Sequence, residues 1–183
     1  MAEPQDTWDS LPQALRDCTI MRIARELARV NDEPRMLVIV ANGFLELLVN
    51  ALIDEKCRHA KKISNNNRDF SYSIKLILLH EMGVLSDGSF GNLDWLRKPR
   101  NRAAHEALFS IERGDLSNIA DETLRDPKQF HKLSLMIIGS LWNEHVDVFG
   151  PRFLPSEFRK DPSSTTDEAT AEPGAAPDRG ARI

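Results

Sequence analysis

Residues 32–59 read DEPRMLVIVANGFLELLVNALIDEKCRH and contain Met36–Ala41, the longest uninterrupted apolar run of the chain. Asp32 is the predicted N-cap, because a short acidic side chain before an apolar stretch suits that position. Apolar side chains then recur at three- and four-residue steps, the period of an amphipathic α-helix. The stripe consists of Leu37, Val40, Phe44, Leu48, Ala51 and Leu52. The sequence therefore predicts one long helix here, packed against other helices.

The same periodicity continues on both sides of this helix. No strand pattern longer than four residues is present, so the sequence predicts an all-α fold, a bundle of about five helices. Polar residues 61–69 are expected to form a loop and residues 86–91 a turn. The remaining helices are predicted at Leu11–Val30, Ser71–Met82 ended by Gly83, from about Asn92 onward, and Pro127–Phe149.

The predicted domain covers residues 11–155, between two segments of different composition. Residues 1–10 are polar and acidic and are expected to be flexible. Residues 156–183 are rich in Ser, Thr, Pro, Ala and Asp. Such a composition buries too little apolar area to offset the entropy of ordering the chain, which predicts a disordered tail.

Composition excludes several classes of protein. Cys18 and Cys57 are isolated, which argues against a disulfide framework or a zinc site and favours a reducing cytoplasm. The N-terminus lacks the features of a signal peptide, and the run Met36–Ala41 is too short to span a bilayer. No glycine-rich phosphate loop, GxSxG or HExxH motif occurs, so neither a cofactor nor a metal is expected.

The one stretch that indicates chemistry is Arg100-Asn101-Arg102-Ala103-Ala104-His105. Arginine is a permanent, bidentate donor to phosphate, and histidine can give or take a proton near neutral pH. Arg97, Lys98 and Arg102 make this segment basic within a chain of net charge −4. A local positive patch on an acidic protein predicts an anionic ligand such as RNA.

Helical geometry separates the two main groups of this motif. Residues five apart point about 140° away from each other, so Arg100 and His105 share no face, whereas Asn101 and His105 do. Arg100 falls instead on the apolar side of its helix and needs a partner there, for which Glu46 is the best candidate. Pro99 disturbs the helix just before the arginine. A purely structural Arg100–Glu46 ion pair is therefore an alternative to a catalytic role.

The pattern resembles the HEPN superfamily, whose motif is an arginine, four to six residues and a histidine, with a polar residue often following the arginine. Arg100, Asn101 and His105 match that motif. An upstream helix containing VANGFLELL (residues 40–48), a mid-chain helix ending at Gly83 and then the motif helix resemble the branch that includes the mannitol operon repressor. The resemblance covers roughly residues 34–108. Outside this range only the order of the helices is similar.

Membership would imply a helical bundle, commonly a homodimer, and often a metal-independent endoribonuclease of the toxin or phage-defence type. By this resemblance His105 would act as general acid or base, Arg100 would stabilise charge on the phosphate, and Asn101 would orient a phosphate oxygen or the imidazole. Arg97, Lys98 and Arg102 would bind RNA, and an antitoxin or regulatory protein would be the partner. The alternative is a non-catalytic regulatory or protein-binding module of the same fold, with Glu46 in a supporting role. A transcription regulator is disfavoured, because no basic recognition helix is evident.

Overall fold

The computed structural model describes residues 12–117, 119 and 121–158, and in this part of the chain all regular structure is helical. The prediction of an all-α fold is confirmed there, with eight α-helices in place of the predicted bundle of about five. Leu11, residues 1–10 and the tail beyond residue 158 lie outside the described residues, as do the predictions made for them. The α-helices are α1 (Gln13–Asp17), α2 (Thr19–Arg29), α3 (Pro34–Lys56), α4 (Ala60–Ser64), α5 (Tyr72–Glu81), α6 (Asp87–His105), α7 (Phe130–Glu144) and α8 (Val146–Phe153).

Helix α3 is the centre of the bundle and contacts α2, α4, α5, α6, α7 and α8, with its largest interface against α6. By length and composition its 23 residues could cross a membrane. The run Met36–Ala41, taken alone, was too short to indicate this. However, 56% of its most apolar window is buried inside the bundle. Its apolar character thus serves the core, to which it contributes Leu37, Val38, Ala41, Leu45, Leu48, Val49, Ala51, Leu52 and Ile53.

Gly83 ends α5 as predicted. Its φ of 67° lies in the left-handed region, which glycine enters without a steric penalty. The Gly83 amide donates to the His80 carbonyl at 2.9 Å, and the Val84 amide donates to the Leu79 carbonyl at 2.8 Å. These two bonds form a Schellman motif, which satisfies the last carbonyls of the helix and turns the chain toward α6.

The predicted turn at residues 86–91 is wrong, because α6 already begins at Asp87. The Ser86 hydroxyl caps the helix by accepting a hydrogen bond from the Ser89 amide at 3.2 Å. Glu144, from the end of α7, accepts hydrogen bonds from the Ser86 amide at 2.9 Å and from the Ser89 hydroxyl. Burial opposes ionisation of Glu144, but these bonds outweigh it and lower its pKa. A carboxylate from a distant helix thus stabilises a helix start that contains two glycines.

Other helix boundaries also differ from the predictions. Asp32 is not the N-cap of α3; Glu33 holds that position and makes no side-chain capping bond. The first predicted helix is interrupted at Cys18, and the predicted loop 61–69 includes the short helix α4. The last predicted helix breaks at His145 and follows a 3₁₀ turn at Pro127–Gln129. Ser156–Phe158 form a further 3₁₀ turn where the tail was predicted to begin.

The break between α7 and α8 buries a titratable group, which makes stability pH-dependent. His145 is 8% exposed, its Nε2 has no hydrogen-bond partner, and burial lowers its pKa despite the nearby charges of Glu144 and Asp147. Because the folded pKa lies below the ordinary value of about 6.5, the unfolded state binds the proton more tightly. Stability should therefore fall as the pH drops from 7 to 5. Urea unfolding at both pH values measures this loss.

The matched variants are His145→Gln, which removes the buried titration, and His59→Gln, which changes an exposed histidine. The first should lose less stability between pH 7 and 5 than the wild type, and the second should behave like the wild type. An unchanged pH dependence in His145→Gln would contradict the assignment.

Candidate functional site

The register between α3 and α6 is set at one end by Arg35. Its guanidinium donates to the carbonyl oxygens of Glu106 at 2.6 Å and Ala107 at 2.8 Å, just beyond the last residue of α6. The start of α3 therefore lies beside the end of α6, and the two helices run antiparallel. Cations are favourable at a helix C-terminus, where carbonyl oxygens lack partners within the helix.

A cleft of about 420 Å³ opens farther along these helices, where α5 begins. Its lining is almost wholly polar, and it combines one carboxylate with two guanidinium groups. Each of the three surrounding elements supplies side chains to it. The lining residues are Asn42 and Glu46 from α3, Asn67, Ser71, Tyr72 and Ser73 from the α5 region, and Arg97, Arg100 and Asn101 from α6.

Arg100 lies in this cleft without a carboxylate partner. Its one side-chain hydrogen bond among the described residues goes to Oδ1 of the neighbouring Asn101, at 3.3 Å. Glu46 lines the same cleft, but no Arg100–Glu46 ion pair within 4.0 Å occurs among the described residues. The direct pair considered from the sequence is therefore not formed in this conformation. Both charges face the cleft and remain available to a ligand.

Two buried polar groups in the cleft wall also have no hydrogen-bond partner in the part of the chain that the structure describes. Asn42 is 3% exposed, and its Nδ2 makes no hydrogen bond. The hydroxyl of Tyr72 is buried and likewise unpaired. Burial, followed by the charge of Glu46, raises the pKa of Tyr72, so this hydroxyl keeps its proton at neutral pH. An unsatisfied buried group costs about 1–3 kcal/mol, which makes two of them in one wall noteworthy.

A buried lysine holds the loop beside the cleft. Lys75 is fully buried, and its Nζ donates to Asn50 Oδ1 and Asn67 Oδ1, both at 3.0 Å. These bonds connect α3 to the loop that precedes α5. No carboxylate lies within ion-pair distance of Lys75 among the described residues, so the two asparagine oxygens are its partners.

The predicted RNA-binding cations differ in their surroundings. Arg97 lines the cleft and binds Asp94 at 2.9 Å. Arg102 binds Glu106 at 3.0 Å and Asp115 at 2.5 Å, and these hydrogen bonds raise its pKa. Lys98 is exposed outside the cleft lining. Arg102 therefore connects α6 to the following 3₁₀ segment Arg113–Leu116. Arg97 forms an ion pair and also lines the cleft.

His105 is the exposed last residue of α6 and does not line the cleft. Asn101 does, and it lies four residues earlier on the same side of the helix. Four residues rise about 6 Å along a helix axis, so the histidine lies one turn beyond the cleft. The separation of Arg100 and His105 expected from the helical period is thus retained, and Pro99 does not end α6.

Of the residues that line the cleft, the sequence predicted Arg97, Arg100, Asn101 and Glu46 as site residues, but it missed Asn42 and the contribution of α5. Tyr72 belongs to no sequence motif, and it lines the cleft only because tertiary packing brings α5 beside the other two helices. Lys75 could have been noticed, because it is a single cation within the apolar segment SIKLILL (residues 73–79). A lysine on the buried side of a helix requires hydrogen-bond acceptors, which points to a polar region nearby.

No cluster of three or more His, Cys, Asp or Glu side chains suited to a metal ion occurs within the described ranges. Comparison of the chain with protein-family models, curated proteins and solved structures gave no match. The assignment of this site therefore rests on its residues and their geometry.

We expect the Lys75→Met substitution to loosen the loop beside the cleft, because it removes both hydrogen bonds to the asparagines. Hydrogen exchange across residues 65–71 should accelerate, and unfolding free energy should fall by about 1–3 kcal/mol. Lys62→Met, on the exposed side of α4, is the matched control and should leave both quantities unchanged. Wild-type exchange in Lys75→Met would show that the lysine does not hold this loop.

Proposed function

We propose that this protein is a HEPN-like endoribonuclease of the toxin or defence type that cleaves RNA without a metal ion. The supporting observation is the partly exposed Arg100 side chain, which lines a polar cleft and has no carboxylate partner among the described residues. Arg97 and Arg102 on the same helix each pair with a carboxylate, whereas Arg100 is left to bind an anion from outside the chain. A phosphate group would supply the missing partner.

The proposed reaction uses only the RNA and side chains of this protein. His105 takes the proton of a ribose 2′-hydroxyl, the 2′-oxygen attacks the adjacent phosphorus, and the bond to the 5′-oxygen breaks. A proton returned to the leaving oxygen balances the step, giving a 2′,3′-cyclic phosphate and a 5′-hydroxyl. Arg100 stabilises the charge that builds on the phosphate, and Asn101 orients the guanidinium through its Oδ1.

Dimerisation is part of the proposal, and an exposed apolar stripe on α3 supports it. Met36, Ile39 and Leu47 are 41%, 37% and 39% exposed. Gly43 lies between them on the same side of the helix, and a side chain there would meet no atom within 4 Å. A second copy packed along this stripe would approach α3 closely at the glycine. Because Asn42 and Glu46 border the stripe, such a dimer would bring two clefts together.

One observation favours the alternative, a non-catalytic regulatory or protein-binding module of the same fold. His105 is exposed and lies outside the lining of the cleft that contains Arg100. In this second candidate the cleft binds an anionic segment of a protein partner, and the histidine takes no part in chemistry.

Cleavage of single-stranded RNA in the presence of EDTA distinguishes the two functions. The wild type should cleave, whereas His105→Ala and Arg100→Ala should each lose about 10²–10⁴-fold in rate, the usual range for general acid–base catalysts and charge stabilisers. Melting temperatures of all variants confirm folding. The products are identified by their cyclic phosphate ends.

His59→Ala and Arg68→Ala are matched controls, because both residues are exposed and lie outside the cleft. They should cleave at the wild-type rate. No cleavage by the wild type, combined with a loss of stability confined to Arg100→Ala, would assign the motif to architecture and support the binding module.

We expect Leu47→Asp to convert a dimer into a monomer, because it places a charge within the apolar stripe of the proposed contact. Light scattering after size exclusion measures the mass directly. Val146→Asp is the control, since Val146 is 54% exposed at the start of α8 and is not part of the α3 stripe. A monomeric wild type, or a dimeric Leu47→Asp, would contradict the proposed interface.

A further inference from the structure

The cleft contains a mixture of unpaired groups that a phosphate alone does not explain. Glu46 is a hydrogen-bond acceptor with no ion pair or hydrogen bond among the described residues. Asn42 offers an amide donor, 97% buried and without a partner. An anion would satisfy Arg100 and Asn42 but would be repelled by the carboxylate. A ligand that satisfies all three groups therefore presents hydrogen-bond donors next to acceptors.

Asn42 and Glu46 are placed to meet one edge of a flat ring. They lie four residues apart on α3, where neighbouring side chains are about 5–6 Å apart at Cβ. One provides donors and the other provides two acceptor oxygens. A nucleobase edge has hydrogen-bonding groups of both kinds at comparable spacing, whereas a sugar or a phosphate does not present them in one plane.

Guanine matches this pair better than the other bases. Its Watson–Crick edge presents two adjacent donors, N1–H and the N2 amine, beside the acceptor O6. The two donors fit a carboxylate in a bidentate arrangement, and O6 can accept from the Asn42 amide. Adenine, cytosine and uracil each lack two adjacent donors on this edge, and each would leave a Glu46 oxygen unpaired.

We infer that the cleft binds a guanine nucleotide of the RNA substrate, with the base on Glu46 and Asn42 and the phosphate on Arg100. The inference deepens the proposed function and rests on it for the identity of the substrate. A volume of about 420 Å³ lies within the usual range for small-molecule sites. Tyr72, protonated and unpaired in the same wall, adds a further donor. Glu46 and Asn42 are then specificity residues, distinct from Arg100 and His105.

Calorimetric titration of the full chain with nucleoside monophosphates in EDTA tests the inference without requiring cleavage. Guanosine monophosphate should bind at least about tenfold more tightly than the adenosine, cytidine and uridine monophosphates, equivalent to about 1.4 kcal/mol. Inosine monophosphate lacks the N2 amine and should bind more weakly than guanosine monophosphate. Equal binding of the four common nucleotides, or no guanosine monophosphate binding at millimolar concentration, would overturn the inference.

Glu46→Gln tests the specificity residue itself, and exposed Glu55→Gln on the same helix is its control. The first variant should lose most of the preference for guanine while remaining folded, and the second should keep it. A preference retained in Glu46→Gln would overturn the inference. Wild-type cleavage without regard to guanine would reject the inference but keep the ribonuclease, whereas guanine-selective binding without cleavage would reject the ribonuclease.

Discussion

The structure depends on the antiparallel packing of α3 against α6. The apolar side chains of α3 fill the centre of the bundle, and Arg35 fixes the register through the carbonyl oxygens of Glu106 and Ala107. With that register, the polar side of α3 meets the basic segment of α6. The cleft is a consequence: Asn42 and Arg100 face one space because the two helices cannot slide without losing buried apolar area.

The polar groups along this interface divide into those that have partners and those that do not. Arg102 and Lys75 are held by carboxylates or amides and serve the fold. Among the described residues, Asn42 Nδ2 and the Tyr72 hydroxyl are buried and make no hydrogen bond, at a cost in desolvation, and Arg100 bonds the neighbouring Asn101 Oδ1 but no carboxylate. Natural proteins break the rule of polar satisfaction chiefly at functional sites. This contrast within a few helical turns is the physical basis for placing the function in the cleft.

The fold class followed from the sequence, since helical periodicity and the glycine at position 83 reflect local chemistry. The start of α6 did not, because Gly88 and Gly91 favour a turn, and hydrogen bonds from the distant Glu144 support the helix there together with the Ser86 cap. Part of the site could be predicted from the sequence, because the sequence gives the spacing of Arg100 and its neighbours directly. The contribution of Tyr72 could not be predicted, because α5 meets the other two helices only through tertiary packing.

The most direct test of the central claim is to map where RNA touches the folded protein. Ultraviolet crosslinking of a short single-stranded RNA, followed by mass spectrometry of the attached peptides, gives that map. RNA binding in the cleft predicts crosslinks on the α6 peptide that carries Arg100 and on the start of α5 around Tyr72, with both lost in Arg100→Ala. Crosslinks confined to surfaces away from the cleft, or unchanged in that variant, would contradict it.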